Sequence, residues 1–296
     1  MLPTFTIIKG VVSLRKWIFL SFLLFFTVLP FLTFQETTAT AAIKTREEYE
    51  KTGHVFWEIN TNDKLVALTF DDGPHPIFTP EILDILAKYH AKATFFVAGN
   101  KVERFPEVVK REVKEGHEIA NHTFHHVYGN HITSSKLTFE LEETDKMIQK
   151  YIGFKPSLYR PVGGVYNDTV INTAIKNGKE VVLWSWDQDS RDWTNPPASQ
   201  ICRTITKGVR PGNIILFHDW HGSEFSKKCS TVKALDTILS YLYKNGYKSV
   251  TVSELLYHSA KIIPDSFQVY PVRRKTSHVD VMINNYSSQQ INPISK

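Results

Sequence analysis

The chain has 296 residues, enough for one large domain or two small ones, and its 42% hydrophobic and 22% charged residues exclude disorder, collagen and coiled coil as whole-chain readings. Two cysteines exclude a disulfide-rich scaffold and a Cys-based zinc finger. A net charge of +5 with no basic stripe, only the Arg273-Arg274-Lys275 cluster, gives no reason to expect a nucleic-acid partner.

Lys9, Arg15 and Lys16 precede an uncharged, mostly apolar run, Trp17 to Phe34, and small residues follow at Ala39-Thr40-Ala41. This is the layout of a secretory signal over 1–41. At 18 residues the run also suffices for a retained membrane anchor. Either reading places the rest of the chain outside the membrane with a net charge of +3. Cys202 and Cys229 would then meet an oxidising compartment, and both a bridge and two separate thiols stay open.

Residues 42–62 are polar and read as a linker into a domain spanning 63–258. Strands are expected at Lys64–Phe70, Ala93–Ala98, Glu118–Asn121, Leu158–Pro161, Glu180–Trp186, Asn213–His218 and Ser249–Val252. Between them, helical spacing appears at Pro80–Tyr89, Val102–Lys114, Ser134–Tyr151, Asn167–Lys176, Pro197–Lys207 and Thr231–Tyr243. About seven strands alternating with helices argue for parallel strands and a (β/α) barrel, with an open doubly wound sheet as competitor. No Gly-rich phosphate loop follows the first strand. Residues 259–296 turn polar and read as a solvated tail.

The unusual residues fall at the C-terminal ends of these strands, the end that carries barrel active sites. Asp71-Asp72 follows the first strand and is turned by Gly73-Pro74. Two adjacent carboxylates repel, and a cation or an arginine beside them relieves that. His122, His125 and His126 end another strand. Five of the twelve histidines lie between His117 and His131. His at i and i+4 can face one metal with an Asp completing the set, and the His122/His125 spacing is open as well. Arg160 could tether a carboxylate, while Gly163 and Gly164 would let a ligand approach the backbone. Trp186, Asp192 and Trp193 follow a further strand. His218 ends the most apolar one and could serve as an acid beside a carboxylate such as Asp192.

Together these residues resemble the polysaccharide deacetylases of carbohydrate esterase family four, the NodB-homology domain, from about Lys64 to Leu256. Thr69–Pro74 matches the T-F-D-D-G-P motif. His122–His126 matches H-[S/T]-x-x-H, and Arg160–Gly164 resembles R-P-P-Y-G. Asp192-Trp193 and Leu216–Asp219 match the fourth and fifth motifs. The resemblance implies a distorted (β/α) barrel. It implies Asp71 as general base, Arg160 orienting it, and Asp72, His122 and His126 as ligands of one divalent ion. Zinc is the first expectation, with cobalt, manganese or nickel as alternatives. It implies His218 as general acid tuned by Asp192, Trp193 and Leu216 lining an acetyl pocket, and the Gly163 N–H as oxyanion donor. The chain departs from the third motif at Val162 and Gly163, where the family has Pro and an aromatic ring, and Tyr166 is the candidate replacement.

The expected function is metal-dependent removal of N-acetyl groups from an extracellular amino-sugar polymer. Peptidoglycan comes first because the N-terminus places the chain next to cell wall. Chitin oligomers, O-acetylated xylan and polysaccharide binding without turnover are the competitors. Oligomeric state carries no sequence signal.

Overall fold

A computed structural model describes residues 44–260, with side chains to residue 258. The expected signal or anchor over 1–41 and the tail beyond 260 lie outside the described residues. Among the described residues, no helix is long and apolar enough to cross a membrane.

The strands are β1 (Val55–Phe56), β2 (Leu65–Asp71), β3 (Ala93–Val97), β4 (Glu118–Asn121), β5 (Leu158–Tyr159), β6 (Glu180–Val182), β7 (Ile214–His218) and β8 (Lys248–Ser249). They pair in parallel in the order β1-β6-β5-β4-β3-β2-β7, with β8 against β2. Helices α2 (Phe78–Lys88), α4 (Pro106–Lys114), α5 (Ser134–Ile152), α6 (Asp168–Lys176), α7 (Ala198–Gly208) and α8 (Ser230–Lys244) supply the crossovers.

Strand alternation explains the layering. Val66, Leu68 and Phe70 of β2, Phe95 of β3 and Phe217 of β7 share one apolar cluster with Ile82 and Leu86 of α2 and Leu235 and Ile238 of α8. Phe70 stacks on Phe95 at 5.1 Å and on Phe217 at 5.6 Å. Burying each such ring contributes about 1.5–3 kcal/mol. The intervening residues Ala67, Phe96, Ala120, Leu158, Val182 and Ile214 form a second cluster on the concave side. It is completed by Leu255 of α9 (Val252–Ala260). The same period of two carries Thr69, Asp71, Leu216 and His218 to the concave side at the other end of β2 and β7.

The barrel is distorted, not a closed ladder. Irregular chain spans the gap between the two edges: Ile59 donates to the Gly212 carbonyl at 2.9 Å, and Ser185 to Ile214 at 3.0 Å. The strand expected over Glu180–Trp186 ends at Val182 because residues 185–190 leave the ladder and run beside β7.

The structure corrects the linker over 42–62. That segment holds α1 (Arg46–Glu50) and the edge strand β1, and Tyr49, Val55 and Trp57 are buried in a third apolar cluster with Leu141, Val170 and Val181. Thr45 and Glu48 cap α1 reciprocally. The helix expected over 102–114 is two helices, α3 (Gly99–Arg104) and α4, because Pro106 lacks an N–H and holds Phe105 out of helical geometry. The last expected strand, Ser249–Val252, stops at Ser249, and α9 starts at Val252. Both cysteines are free thiols. Cys202 on α7 reaches the Ala234 carbonyl of α8, whereas Cys229 sits before the first turn of α8, about 7 Å of helix rise away.

Candidate active site

Asp71 and His218 are register partners at the ends of β2 and β7. Arg160, just after β5, is fully buried and reaches across to Asp71. Its Nη1 donates to Asp71 Oδ1 at 2.6 Å and to Thr69 Oγ1 at 2.8 Å. Its remaining donors are fixed by the Val182 and Leu183 carbonyls, and the guanidinium lies 4.0 Å over the Phe96 ring. One Asp71 oxygen is thereby held. The other, Oδ2, lies 3.9 Å from His122 Nε2.

Asp72 has φ of 75°, a left-handed conformation that short polar residues tolerate and most others do not. The kink turns its carboxylate away from Asp71 and toward the loop after β4. Asp72 Oδ1 lies 2.8 Å from His126 Nε2 and 3.3 Å from His122 Nε2. Thr123 and His126 also have positive φ, 68° and 56°. That loop is braced by Asn121, whose side chain accepts from Thr123 N–H, and by buried Glu140, which accepts from Phe124 and His125 N–H.

The three side chains fit a metal ion. Their ligand atoms all lie within 4.8 Å of one another. His122 Nδ1 is 2.8 Å from the Arg160 carbonyl, which only accepts, so Nδ1 carries the proton and Nε2 presents a lone pair. Asp72 and His126 are partly exposed, which leaves room for water and substrate. His125 is not in the set: its Nδ1 pairs with Glu140 at 2.9 Å, so the open spacing resolves to His122 and His126.

On the opposite side, Asp192 opens a 3₁₀ turn (Asp192–Thr194). Its Oδ1 meets His218 Nδ1 at 2.7 Å, and its Oδ2 accepts from His218 N–H at 2.8 Å and from Thr231 at 2.6 Å. Burial alone would lower the His218 pKa. The bond and charge of Asp192, with Asp72 and Asp71 behind, push it up to about 9.

Leu216 is buried two residues before His218 and next to Thr69, and Trp193 stands 62% exposed beside Asp192. Gly163 lies in the turn after β5. Tyr166 is not at the groove: its ring packs edge-on against Tyr49 at 5.5 Å and Trp57 at 5.3 Å. The N-terminal segment, read as linker, holds that ring half-buried against the core. The ring standing beside Gly163 is Tyr128.

Further residues support the site without a motif to announce them. Lys101 Nζ donates to the Asp72 carbonyl at 2.6 Å and lies 3.8 Å over the Trp220 ring, and burial pulls its pKa down to about 8. Asp219 is fully buried, donates its N–H to the Asp71 carbonyl at 3.2 Å and accepts from Thr79. A Cβ on Gly73 would fall 2.1 Å from Asp219 Oδ2, so only glycine permits this packing under the Asp71-Asp72 turn.

Residues 58–182 match the polysaccharide deacetylase family model. The chain is 47% identical to a peptidoglycan-N-acetylglucosamine deacetylase of Bacillus cereus, over 71% of this chain and 97% of that protein. It belongs to the polysaccharide deacetylase family. The fold agrees with the crystal structure of the Bc1960 peptidoglycan N-acetylglucosamine deacetylase, with a TM-score of 0.67 and 32% identity over 72% of this chain and 97% of that one. A family 4 acetyl xylan esterase from Clostridium thermocellum, in complex with a cobalt ion, is 35% identical over 66% of this chain and 91% of that one, with a TM-score of 0.59.

Proposed function

We propose that this polysaccharide deacetylase is a metal-dependent hydrolase that removes N-acetyl groups from the amino sugars of peptidoglycan outside the cell. One observation carries the chemistry: a base pinned by Arg160 and an acid pinned by Asp192 face each other across β2 and β7, beside the Asp72-His122-His126 set. A divalent ion held by those three side chains, zinc first and cobalt, manganese or nickel as alternatives, would lower the pKa of water and polarise the acetyl carbonyl.

The chain's own groups do the rest. Arg160 holds Asp71 Oδ1, so Oδ2 is the oxygen that accepts the proton of the attacking water. The Gly163 N–H is assigned to the oxyanion. His218 carries its proton at neutral pH and gives it to the leaving nitrogen as the carbon–nitrogen bond breaks, yielding acetate and a free amine. Amide cleavage needs such an acid, because an amine leaves poorly unless protonated.

The polymer is supported by the similarity to the B. cereus peptidoglycan-N-acetylglucosamine deacetylase and by the expectation that residues 1–41 are a secretory signal or anchor. Mass spectrometry of treated muropeptides tests it, with glucosamine bearing one free amine as the expected product. Acetate released from xylan and not from muropeptides would make the chain an esterase. Binding of muropeptides without any acetate would make it a non-catalytic binder.

A further inference from the structure

The turn after β5 lacks a side chain where it passes the metal-ligand set. Gly163 has φ of 62°, and a Cβ there would lie 2.8 Å from Tyr128 Cε1 and 3.4 Å from its Cδ1. The Tyr128 ring therefore fills the space into which a side chain at 163 would project. Tyr128 comes from the loop after β4 and bridges Val162 in parallel. Its ring meets the His126 imidazole edge-on, with centroids 5.9 Å apart and planes at 73°. It is thus fixed by backbone pairing on one side and by a ligand residue on the other.

The ring is nevertheless 60% exposed. Among the described residues its hydroxyl meets no hydrogen-bond partner. A large ring held in place but left open is poor core packing and good contact surface. Two other aromatic rings lie near this turn: Tyr166 packs on Tyr49 and Trp57, and Trp184, against Gly164, packs on the apolar clusters.

We propose that Tyr128 is the aromatic wall of the sugar groove, against which the pyranose ring bearing the acetamido group lies while that group is at Asp72, His122 and His126. The C–H face of a pyranose is apolar and its rim is polar, which suits a tyrosine with an exposed face and a free hydroxyl. The inference rests on the saccharide-deacetylase reading above. It adds the residue that selects for a sugar ring, supplied here by the β4 loop in place of position 163.

The test compares kcat/KM for a chitin oligosaccharide with that for vinyl acetate, which has no ring, in the full chain. In Tyr128→Ala, the oligosaccharide-to-vinyl-acetate ratio falls about tenfold, mainly through KM. In Tyr128→Phe, which keeps the face, the ratio stays within about twofold of wild type. An unchanged ratio in Tyr128→Ala overturns the proposal, as does an equal loss in Tyr128→Phe. An equal fall on both substrates in Tyr128→Ala also overturns it, because it would place the effect on His126. If the wild-type chain releases acetate from neither of these substrates nor from muropeptides, the functional reading itself fails, an outcome distinct from the others.

Discussion

At the residue scale, two ionised pairs do opposite work. In the proposed mechanism Arg160 keeps Asp71 in position to accept a proton, and Asp192 keeps His218 loaded to give one. The His218 pKa is raised, so the acid is competent below about pH 9 and its contribution is lost as pH rises through that value. In Asp192→Asn the charge is gone while burial remains, and burial lowers the pKa. We expect the alkaline limb of kcat/KM to move down by more than about one pH unit. A pH–rate profile with an unmoved limb would remove His218 from the role of acid. A histidine cluster able to face one metal was legible at this scale because its spacing follows the backbone of one turn, and the full set came from the family resemblance. His125 against His126 was not, since Glu140, fourteen residues on from His126, decides it. Nor was Tyr166 against Tyr128, because which ring stands beside Gly163 depends on where the N-terminal segment packs.

At the element scale, the crossover helices and the strands they join were readable from periodicity, and three elements were not. The edge strand β1 has only two residues, too short for an alternating pattern to show. The helices α1 and α9 are each announced by a T-x-x-E capping box. Thr45 and Glu48 open the first, and Thr251 and Glu254 bond reciprocally at the second. Polar content around α1 hid the first, and the β-branched run Val250-Thr251-Val252, which reads as a strand, hid the second. Trp57 shows that the N-terminal segment belongs to the fold: it is buried, touches Tyr166 edge-on and carries Arg46 at 5.1 Å over its ring. Trp57→Ala should destabilise the protein by about 3–5 kcal/mol. Chemical denaturation measures this, and a loss below about 1 kcal/mol would mean that the segment merely rests on the surface.

At the scale of the whole molecule, one alternation builds both stability and function. The β2 residues Val66, Leu68 and Phe70 bind the sheet to its helices, and the residues between them lead to Asp71 on the concave side. The site sits at the end of the sheet opposite the α9 cap, so catalytic groups could be placed there at little expense to the core. The alternation of strands and helices was legible as a barrel of parallel strands. Its open seam was not, because residues 185–190 hydrogen-bond to β7 without forming a strand.

The central claim is that Asp72, His122 and His126 hold the ion on which Asp71 and His218 depend. The most direct measurement is amine release from peptidoglycan by chelator-treated protein as zinc is titrated back, with bound zinc followed in parallel. The account predicts recovery that saturates at one zinc per chain. Asp71→Asn should bind zinc at the same stoichiometry but lose at least about a hundredfold in rate, and His126→Ala should lose both binding and rate. Full activity in the metal-free protein, or zinc-restored activity in His126→Ala, would contradict it.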